Sequence, residues 1–101
     1  MIVSVIYNLQ EGQTFDIDYY LKSHIPLVQE LFADSGLKSA QVLQGTGSPA
    51  GPAPARIIAL LEFDSDSGFQ NAITAHGARV LGDIQNFTQA QPTIQFNQRL
   101  V

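Results

Sequence analysis

Short apolar runs along the chain predict four β-strands. Short runs rich in Val, Ile and Leu, each bounded by turn-forming residues, indicate strands over residues 2–9, 38–45, 56–63 and 93–100. Between the second and third strands, the segment TGSPAGPAPA at 46–55 is rich in glycine and proline, a composition that favours a loop.

Apolar residues at helical spacing predict a first helix after the first strand. Thr14 or Asp16 can cap its start, and Gly36 ends it. Pro26 removes one backbone hydrogen bond, so we expect a kink or a break into two helices near His24. The residues predicted on the inward side of this helix are Ile17, Tyr20, Leu21, His24, Leu27, Val28 and Leu31.

A second helix is predicted after the third strand. Residues 64–66 offer caps, Gly77 is expected to stop the helix, and one further turn is possible over 78–82. The residues predicted on one face of this helix are Phe69, Ala72, Ile73 and His76.

The element order β-α-β-β-α-β predicts an α+β fold of the ferredoxin-like type, as a single domain over residues 1–101. Two helices can cover only one face of its four-stranded antiparallel sheet, yet the third strand is apolar on both faces. Ile57, Ala59 and Leu61 alternate there with Ile58 and Leu60. A second copy of the chain, packed through a two-fold axis, is the simplest second cover. We therefore expect a homodimer through the sheet face; the alternative is a monomer with an exposed apolar face.

The composition supports burial of the second face of the sheet. It also limits the classes of molecule that the protein is expected to bind. Hydrophobic residues make up 45% of the chain and charged residues only 14%, with a net charge of −4. Its five cations are scattered, so no nucleic-acid partner is expected. The absence of cysteine excludes disulfides and thiolate metal sites. No apolar run reaches membrane-spanning length, and the segment MIVSVIYNLQEG does not resemble a signal peptide, so we expect a cytoplasmic protein without membrane contact.

His24 is the first candidate for chemistry. On a helical wheel it lies within about 20° of both Ile17 and Leu31, at 100° per residue, and therefore points at the sheet. Burial lowers the pKa of an imidazole, and a neutral imidazole in a pocket can act as a general base. The alternative is a core histidine bonded to a backbone carbonyl that Pro26 leaves free.

His76 and Asp83 are further candidates near the end of the second helix. His76 has the phase of Phe69 and Ile73 and could reach the same cleft as His24, or it could simply interact with the helix dipole. Asp83 could orient a histidine or hold a polar group of a substrate, or it could cap a turn with Asn86.

Two tyrosines could line the same cleft. Tyr7 from the first strand and Tyr20 from the helix would each place a phenolic donor beside an apolar wall, although both could be plain core residues. The sequence contains no GxSxG, P-loop, HExxH or GxGxxG pattern. Two histidines without cysteine or an acidic cluster predict no metal site, and no cofactor is expected, although one histidine could ligate a haem iron.

The chain resembles the EthD family of the dimeric α+β barrel superfamily. The matching segments are MIVSVIY, FDIDYYLKSHIPLV, ARIIALLEF and GDIQNFTQAQPTIQ, and together they cover nearly the whole chain. The tyrosine–histidine–proline pattern of Tyr20, His24 and Pro26 is the most specific, and a second match comprises Asp83, Asn86 and Phe87. The resemblance implies the ferredoxin-like fold, a barrel-forming dimer, and a pocket between helices and sheet lined by His24.

The resemblance does not select a reaction, because related barrels include cofactor-free oxygenases, polyketide cyclases and dehydratases, lactone isomerases and haem-degrading enzymes. Our first hypothesis is a cofactor-independent enzyme that moves protons on a small apolar carbonyl or phenolic metabolite. The second is a non-catalytic accessory protein that binds such a molecule, and the third is a haem-binding barrel. For the enzyme, the predicted catalytic residues are His24, His76 and Asp83, and the predicted substrate-binding residues are Tyr7, Tyr20, Phe69, Asn86 and Phe87.

Overall fold

A computed structural model describes all 101 residues and contains one four-stranded antiparallel sheet. The strands are β1 (Ile2–Tyr7), β2 (Leu37–Gln44), β3 (Ile57–Phe63) and β4 (Thr93–Asn97), and their order in the sheet is β2-β3-β1-β4. The helices pack on one face of this sheet. This is the predicted ferredoxin-like α+β arrangement, and the expected loop lies between β2 and β3.

The first helical region contains α1 (Ile17–Tyr19), a π-helical segment (Tyr20–His24), α2 (Ile25–Phe32) and a 3₁₀ turn (Ala33–Ser35). The Asp16 side chain caps its start by accepting a hydrogen bond of 3.1 Å from the Tyr19 N–H. Gly36 ends it with a left-handed φ of 90°, where a Cβ atom would collide with the Asp64 carboxyl group.

The π-helical segment is the structural response to Pro26. The Ile25 N–H donates to the Tyr20 carbonyl, five residues earlier, and the chain continues without a break into α2. The wider turn shifts the inward face, so the prediction for Leu21 was wrong: this side chain is 48% exposed. The buried stripe instead repeats every four residues and comprises Tyr20, His24, Val28 and Phe32.

The second helix, α3 (Gly68–Gly82), does not stop at Gly77 as predicted. Gly77 is buried, and a Cβ atom there would come within 3.0 Å of the Ile73 side chain. Burial of Val80 one turn later stabilises the continued helix against the roughly 0.5–1 kcal/mol cost of an interior glycine. His76 therefore lies inside the helix and not in its last turn, so the helix-dipole interpretation of His76 was also wrong.

Two clusters of buried side chains fill the space between sheet and helices. We call the first the phenylalanine cluster; it comprises Val3, Val28, Phe32, Leu61, Phe63, Phe69, Ala72 and Val80. We call the second the tyrosine cluster; it comprises Tyr7, Tyr20, Ile57, Phe87 and Ala90. His24 lies one turn from Tyr20 in one direction and from Val28 in the other, where the two clusters meet.

The opposite face of the sheet carries the second apolar surface that the strand pattern predicts. Ile6, Ile58 and Leu60 are only partly buried there, and Leu43 on β2 is 50% exposed. None of the helices has the length and apolar character needed to cross a lipid bilayer.

Candidate active site

A cavity of about 40 Å³ lies between the helices and the sheet. We call it the His24 cavity. Residues of β1, β3, β4, the first helical region, α3 and the segment 84–92 form its wall. His24, Tyr7 and Tyr20 carry the only polar side-chain atoms on that wall. At roughly 10–15 Å³ per water site, it holds about three water molecules. It is therefore a small, apolar site with a few polar groups.

His24 and Asp83 form a hydrogen-bonded pair at the edge of this cavity. The His24 Nδ1 lies 2.9 Å from the Asp83 Oδ2, and the histidine is only 5% exposed. The π-helical segment directs the imidazole inward, and Asp83 is the residue that directly follows the last residue of α3. The bond therefore joins the first helical region to the end of α3 across 59 residues of sequence.

Two further donors hold the second oxygen of Asp83. The Tyr19 hydroxyl donates to Oδ1 at 2.6 Å, and the Asn86 amide donates to the same oxygen at 2.9 Å. Burial disfavours the charged carboxylate, but the hydrogen bonds from Tyr19, Asn86 and His24 outweigh this effect and hold the pKa of Asp83 below its usual range. Asp83 is therefore ionised at neutral pH and can only accept hydrogen bonds.

The ionised Asp83 determines the tautomer of His24. Burial lowers the pKa of His24, an effect that the hydrogen bond and the charge of Asp83 offset only in part, so the imidazole is neutral at pH 7. Because Asp83 accepts, Nδ1 must carry the proton, and Nε2 is left as an acceptor. Nε2 makes no hydrogen bond within the chain, and no fully buried side-chain nitrogen or oxygen lacks a partner. Nε2 is therefore the free hydrogen-bond acceptor of a side chain that lines the His24 cavity.

The hydroxyl groups of Tyr7 and Tyr20 are also free of partners within the chain. Both residues line the His24 cavity and are otherwise buried, at 1% and 2% exposed. Burial raises the pKa of both phenols, and the neighbouring Tyr20 adds to the effect at Tyr7. Both phenols are neutral across the physiological range and can donate a hydrogen bond to an oxygen of a bound molecule.

Aromatic packing fixes the orientation of the imidazole. The Tyr20 ring stacks on the His24 ring at a centroid distance of 5.5 Å, and the Phe87 ring lies 4.6 Å away on a tilted approach. The Asp16 N–H donates to the Phe87 carbonyl at 2.8 Å, which ties the segment after α3 to the start of the first helical region. This tie brings Asp83, Asn86 and Phe87 beside His24.

The structure brings most of the predicted site residues together, some on the cavity wall and others behind it. Tyr7, Tyr20, His24 and Phe69 line the cavity. Asp83, Asn86 and Phe87 lie outside the cavity wall and contact His24 or hold its partner.

His76 is not part of this arrangement. It is half-buried in the middle of α3, makes no side-chain hydrogen bond and does not line the cavity. Residues Ile73 and Val80, on either side of it along α3, line the cavity instead.

Tyr19 is the functional candidate that sequence reasoning missed. The helical pattern places Tyr19 on the solvent side, and it is only half-buried. Its hydroxyl nevertheless reaches Asp83, which lies 64 residues away in the sequence. No feature of the local sequence identifies this partner, because the contact depends on where α3 ends in space.

No three His, Asp or Glu side chains come together in a way that could hold a metal ion. Haem does not fit either: the His24 cavity holds only a few waters, and no cationic side chain on its wall could meet the propionates.

The chain was compared with known proteins. No family model matches it, and neither does any curated protein. Among solved structures, it is similar to an EthD-like protein from Ralstonia eutropha JMP134, at 31% identity and a TM-score of 0.90, over 99% of this chain and 91% of that one. It also resembles an EthD family protein from Bacillus halodurans C-125 in fold, at 17% identity and a TM-score of 0.60, over 96% of each chain. Because the chain shares this fold and 31% identity with the first of these proteins, it belongs to the EthD family.

Proposed function

We propose that this protein is a cofactor-independent enzyme that transfers protons on a small, apolar, carbonyl-bearing or phenolic group of a metabolite. One observation carries the proposal: a buried histidine is bonded through Nδ1 to an ionised Asp83 at 2.9 Å, while its Nε2 has no partner within the chain. A neutral imidazole in this state is a general base whose accepting atom is free.

In the proposed reaction, Nε2 of His24 accepts the proton from the carbon next to the substrate carbonyl. The C–H electron pair becomes the C=C bond of an enolate, and the negative charge moves to the carbonyl oxygen. The hydroxyl of Tyr7 or Tyr20 donates a hydrogen bond to this oxygen. Return of the proton from Nε2 to another carbon completes an isomerisation. In a dehydration, the enolate instead expels a β-hydroxyl group, which takes the proton from Nε2 and leaves as water. In a cyclisation, the enolate carbon forms a bond to a second carbonyl carbon of the substrate, and the oxygen of that carbonyl takes the proton. A phenolic substrate would lose its O–H proton to the same nitrogen.

The surrounding residues act by positioning. Asp83 holds the Nδ1 proton and stabilises the imidazolium that forms, as a carboxylate does beside a catalytic histidine. Tyr19 and Asn86 fix Asp83 through its other oxygen. Phe69 supplies part of the apolar wall. His76 has no role in this proposal because it does not line the cavity.

We also propose that the protein works as a homodimer through the face of the sheet opposite the helices. The partly exposed Ile6, Leu43, Ile58 and Leu60 form an apolar surface at the centre of that face, and a second copy of the same face would cover it. Light scattering of the wild-type protein and of Leu60→Lys tests this: a wild-type monomer, or a Leu60→Lys variant that remains a dimer, would contradict it.

Hydrogen–deuterium exchange of small ketones tests the proposed chemistry. Butanone and acetylacetone are incubated with the protein in D₂O, and loss of the α-proton signal is followed by NMR. We expect wild-type protein to accelerate exchange and His24→Gln to slow it by about 10²–10⁴-fold. Circular dichroism of His24→Gln checks that the variant is folded.

The outcome separates the enzyme from the accessory protein. If the wild-type protein binds these ketones but does not accelerate exchange, or if His24→Gln exchanges at the wild-type rate, the general-base proposal fails. Binding without exchange would favour the non-catalytic accessory protein, for which the apolar wall of the same cavity is the supporting observation.

A further inference from the structure

A second concave surface adjoins the His24 cavity. This surface, which we call the outer groove, lies between the C-terminal end of α3 and residues 84–92, and its volume is about 430 Å³. Leu81, Ile84 and Pro92 line both the cavity and the groove. These three side chains are therefore the partition between the two spaces.

The cavity reaches the molecular surface beside this partition. Two of its wall residues, Leu81 on α3 and Ile94 on β4, are 45% and 40% exposed. A molecule that leaves the cavity past Leu81, between the end of α3 and the start of β4, would enter the groove that Leu81 also lines.

The sizes of the two spaces limit what can bind. The His24 cavity, at about 40 Å³, accommodates only a small end group of a substrate. The groove is about ten times larger. Any substrate bigger than a few non-hydrogen atoms must therefore place its reacting end in the cavity and the rest of the molecule outside it.

The chemistry of the groove differs from that of the cavity. Its lining includes three glutamines and one threonine but no charged side chain. Thr88 donates to the Thr14 carbonyl at 2.7 Å, and Gln89 accepts from the Thr14 N–H at 2.8 Å, so both are already engaged. The amides of Gln85 and Gln91 are exposed and make no hydrogen bond within the chain. Two free carboxamides, each a donor and an acceptor, are thus available to a ligand.

We propose that the outer groove binds the neutral, polar tail of the substrate whose carbonyl end reacts in the His24 cavity. The substrate class is an elongated molecule with a small apolar carbonyl end and a tail that carries hydroxyl, ether or amide groups. A tail with a phosphate or carboxylate finds no cation here, and a cationic tail finds no carboxylate among the lining residues. This inference rests on the proposed function for the identity of the reacting end.

Binding measurements with matched ketones test the tail site. Three methyl ketones of equal length end in a hydroxyethyl ether, a carboxylate or a trimethylammonium group, and butanone serves as the probe without a tail. Kd values are measured by calorimetry on the wild-type protein. We expect the ether-ended ketone to bind several-fold to tenfold more tightly than either charged ketone, since one or two hydrogen bonds to neutral amides supply this discrimination.

Variants of the groove glutamines test whether the preference for the ether tail arises in the outer groove. The double variant Gln85→Ala/Gln91→Ala is expected to lose the preference for the ether tail while its butanone binding is unchanged. Gln29→Ala, which alters an exposed glutamine on α2 outside the groove, should behave as wild type. Equal affinity for all three tails, tighter binding of a charged tail, or an unchanged preference in the double variant would overturn the inference.

The test separates this inference from the proposed function. His24→Gln should retain the tail preference even though it no longer promotes exchange. If the preference is present but wild-type exchange is absent, only the proposed chemistry fails. If His24-dependent exchange of butanone is present but no tail preference exists, only the tail site fails.

Discussion

The phenylalanine cluster and the tyrosine cluster lie on the same side of the sheet and are equally well buried, yet they differ in chemistry. The first contains no titratable side chain. The second meets His24 and contains two phenols whose hydroxyls have no partner within the chain. One buried stripe of the first helical region contributes side chains to both clusters. Tyr20 and His24 face the tyrosine cluster, while Val28 and Phe32 pack in the phenylalanine cluster. The same buried stripe thus packs the core at one end and lines the candidate site at the other.

The backbone conformation also differs between the two ends of this stripe. The stripe is π-helical at Tyr20–His24 and α-helical at Ile25–Phe32. π-Helical turns are less favourable than α-helical ones and occur frequently at functional sites. Burying an imidazole and two phenols also costs more free energy than burying leucine or phenylalanine. The comparison teaches that this protein accepts a less stable packing where polar atoms must stay available.

The largest effect is expected from truncating the phenylalanine cluster. Phe32→Ala removes a fully buried ring that packs against Phe63 and Phe69. The free energy of unfolding should fall by about 3–5 kcal/mol, measured by urea denaturation. The matched change at the other end, His24→Gln, should cost distinctly less stability. Equal losses at the two positions would contradict the division between the clusters.

The second-largest effect is expected in the rate of ketone exchange, without loss of the fold. Asp83→Asn keeps the shape of the side chain but removes the charge that holds the proton on Nδ1. We expect exchange of butanone to slow by about 10²-fold or more, within the range assigned to a general base, with the fold retained. If Asp83→Asn kept wild-type exchange, Asp83 would have only a structural role.

A smaller effect is expected for Tyr19→Phe. This change removes the 2.6 Å hydrogen bond to Asp83 but leaves those from Asn86 and His24 in place. The pKa of Asp83 should rise, and exchange should slow by roughly tenfold, the equivalent of about 1.4 kcal/mol. The changed pKa of Asp83 should shift the acid limb of the pH–rate profile. A purely structural role of Tyr19 would leave the position of this limb unchanged. The reference variant is Tyr7→Phe, which should alter the rate without shifting this limb.

The smallest effect concerns the pH dependence of stability. The folded-state pKa of His24 lies below its unfolded value of 6.5, so the unfolded state takes up a proton first as the pH falls. The resulting loss of stability begins below pH 6.5 and is absent above it. The lowered pKa of Asp83 adds a loss at lower pH, as the pH falls through its unfolded value of 3.8. Urea denaturation between pH 7 and pH 5 should show a shallower decline for His24→Gln than for wild type, whereas Phe32→Leu should keep the wild-type slope.

Much of the fold could be predicted from the sequence because it depends on local patterns. Short apolar runs between turn-forming residues predicted all four strands, and helical spacing predicted both helices, with differences of a few residues at their ends. The errors at Leu21 and Gly77 arose where packing outweighed local preference: the π-helical turn rotated one side chain outward, and buried neighbours carried α3 through a glycine.

By itself, the sequence determined the order of the elements, the inward direction of His24 and the apolar character of both faces of the sheet. Only the tertiary structure decided which groups meet His24. Tyr19 and His24 reach Asp83 across 64 and 59 residues, and His76 lies away from them although it shares the phase of cavity-facing residues. The physical reason is that periodicity reports which side of one element is buried. Contacts between elements depend instead on where each helix ends in space, as α3 does at Gly82, one residue before Asp83.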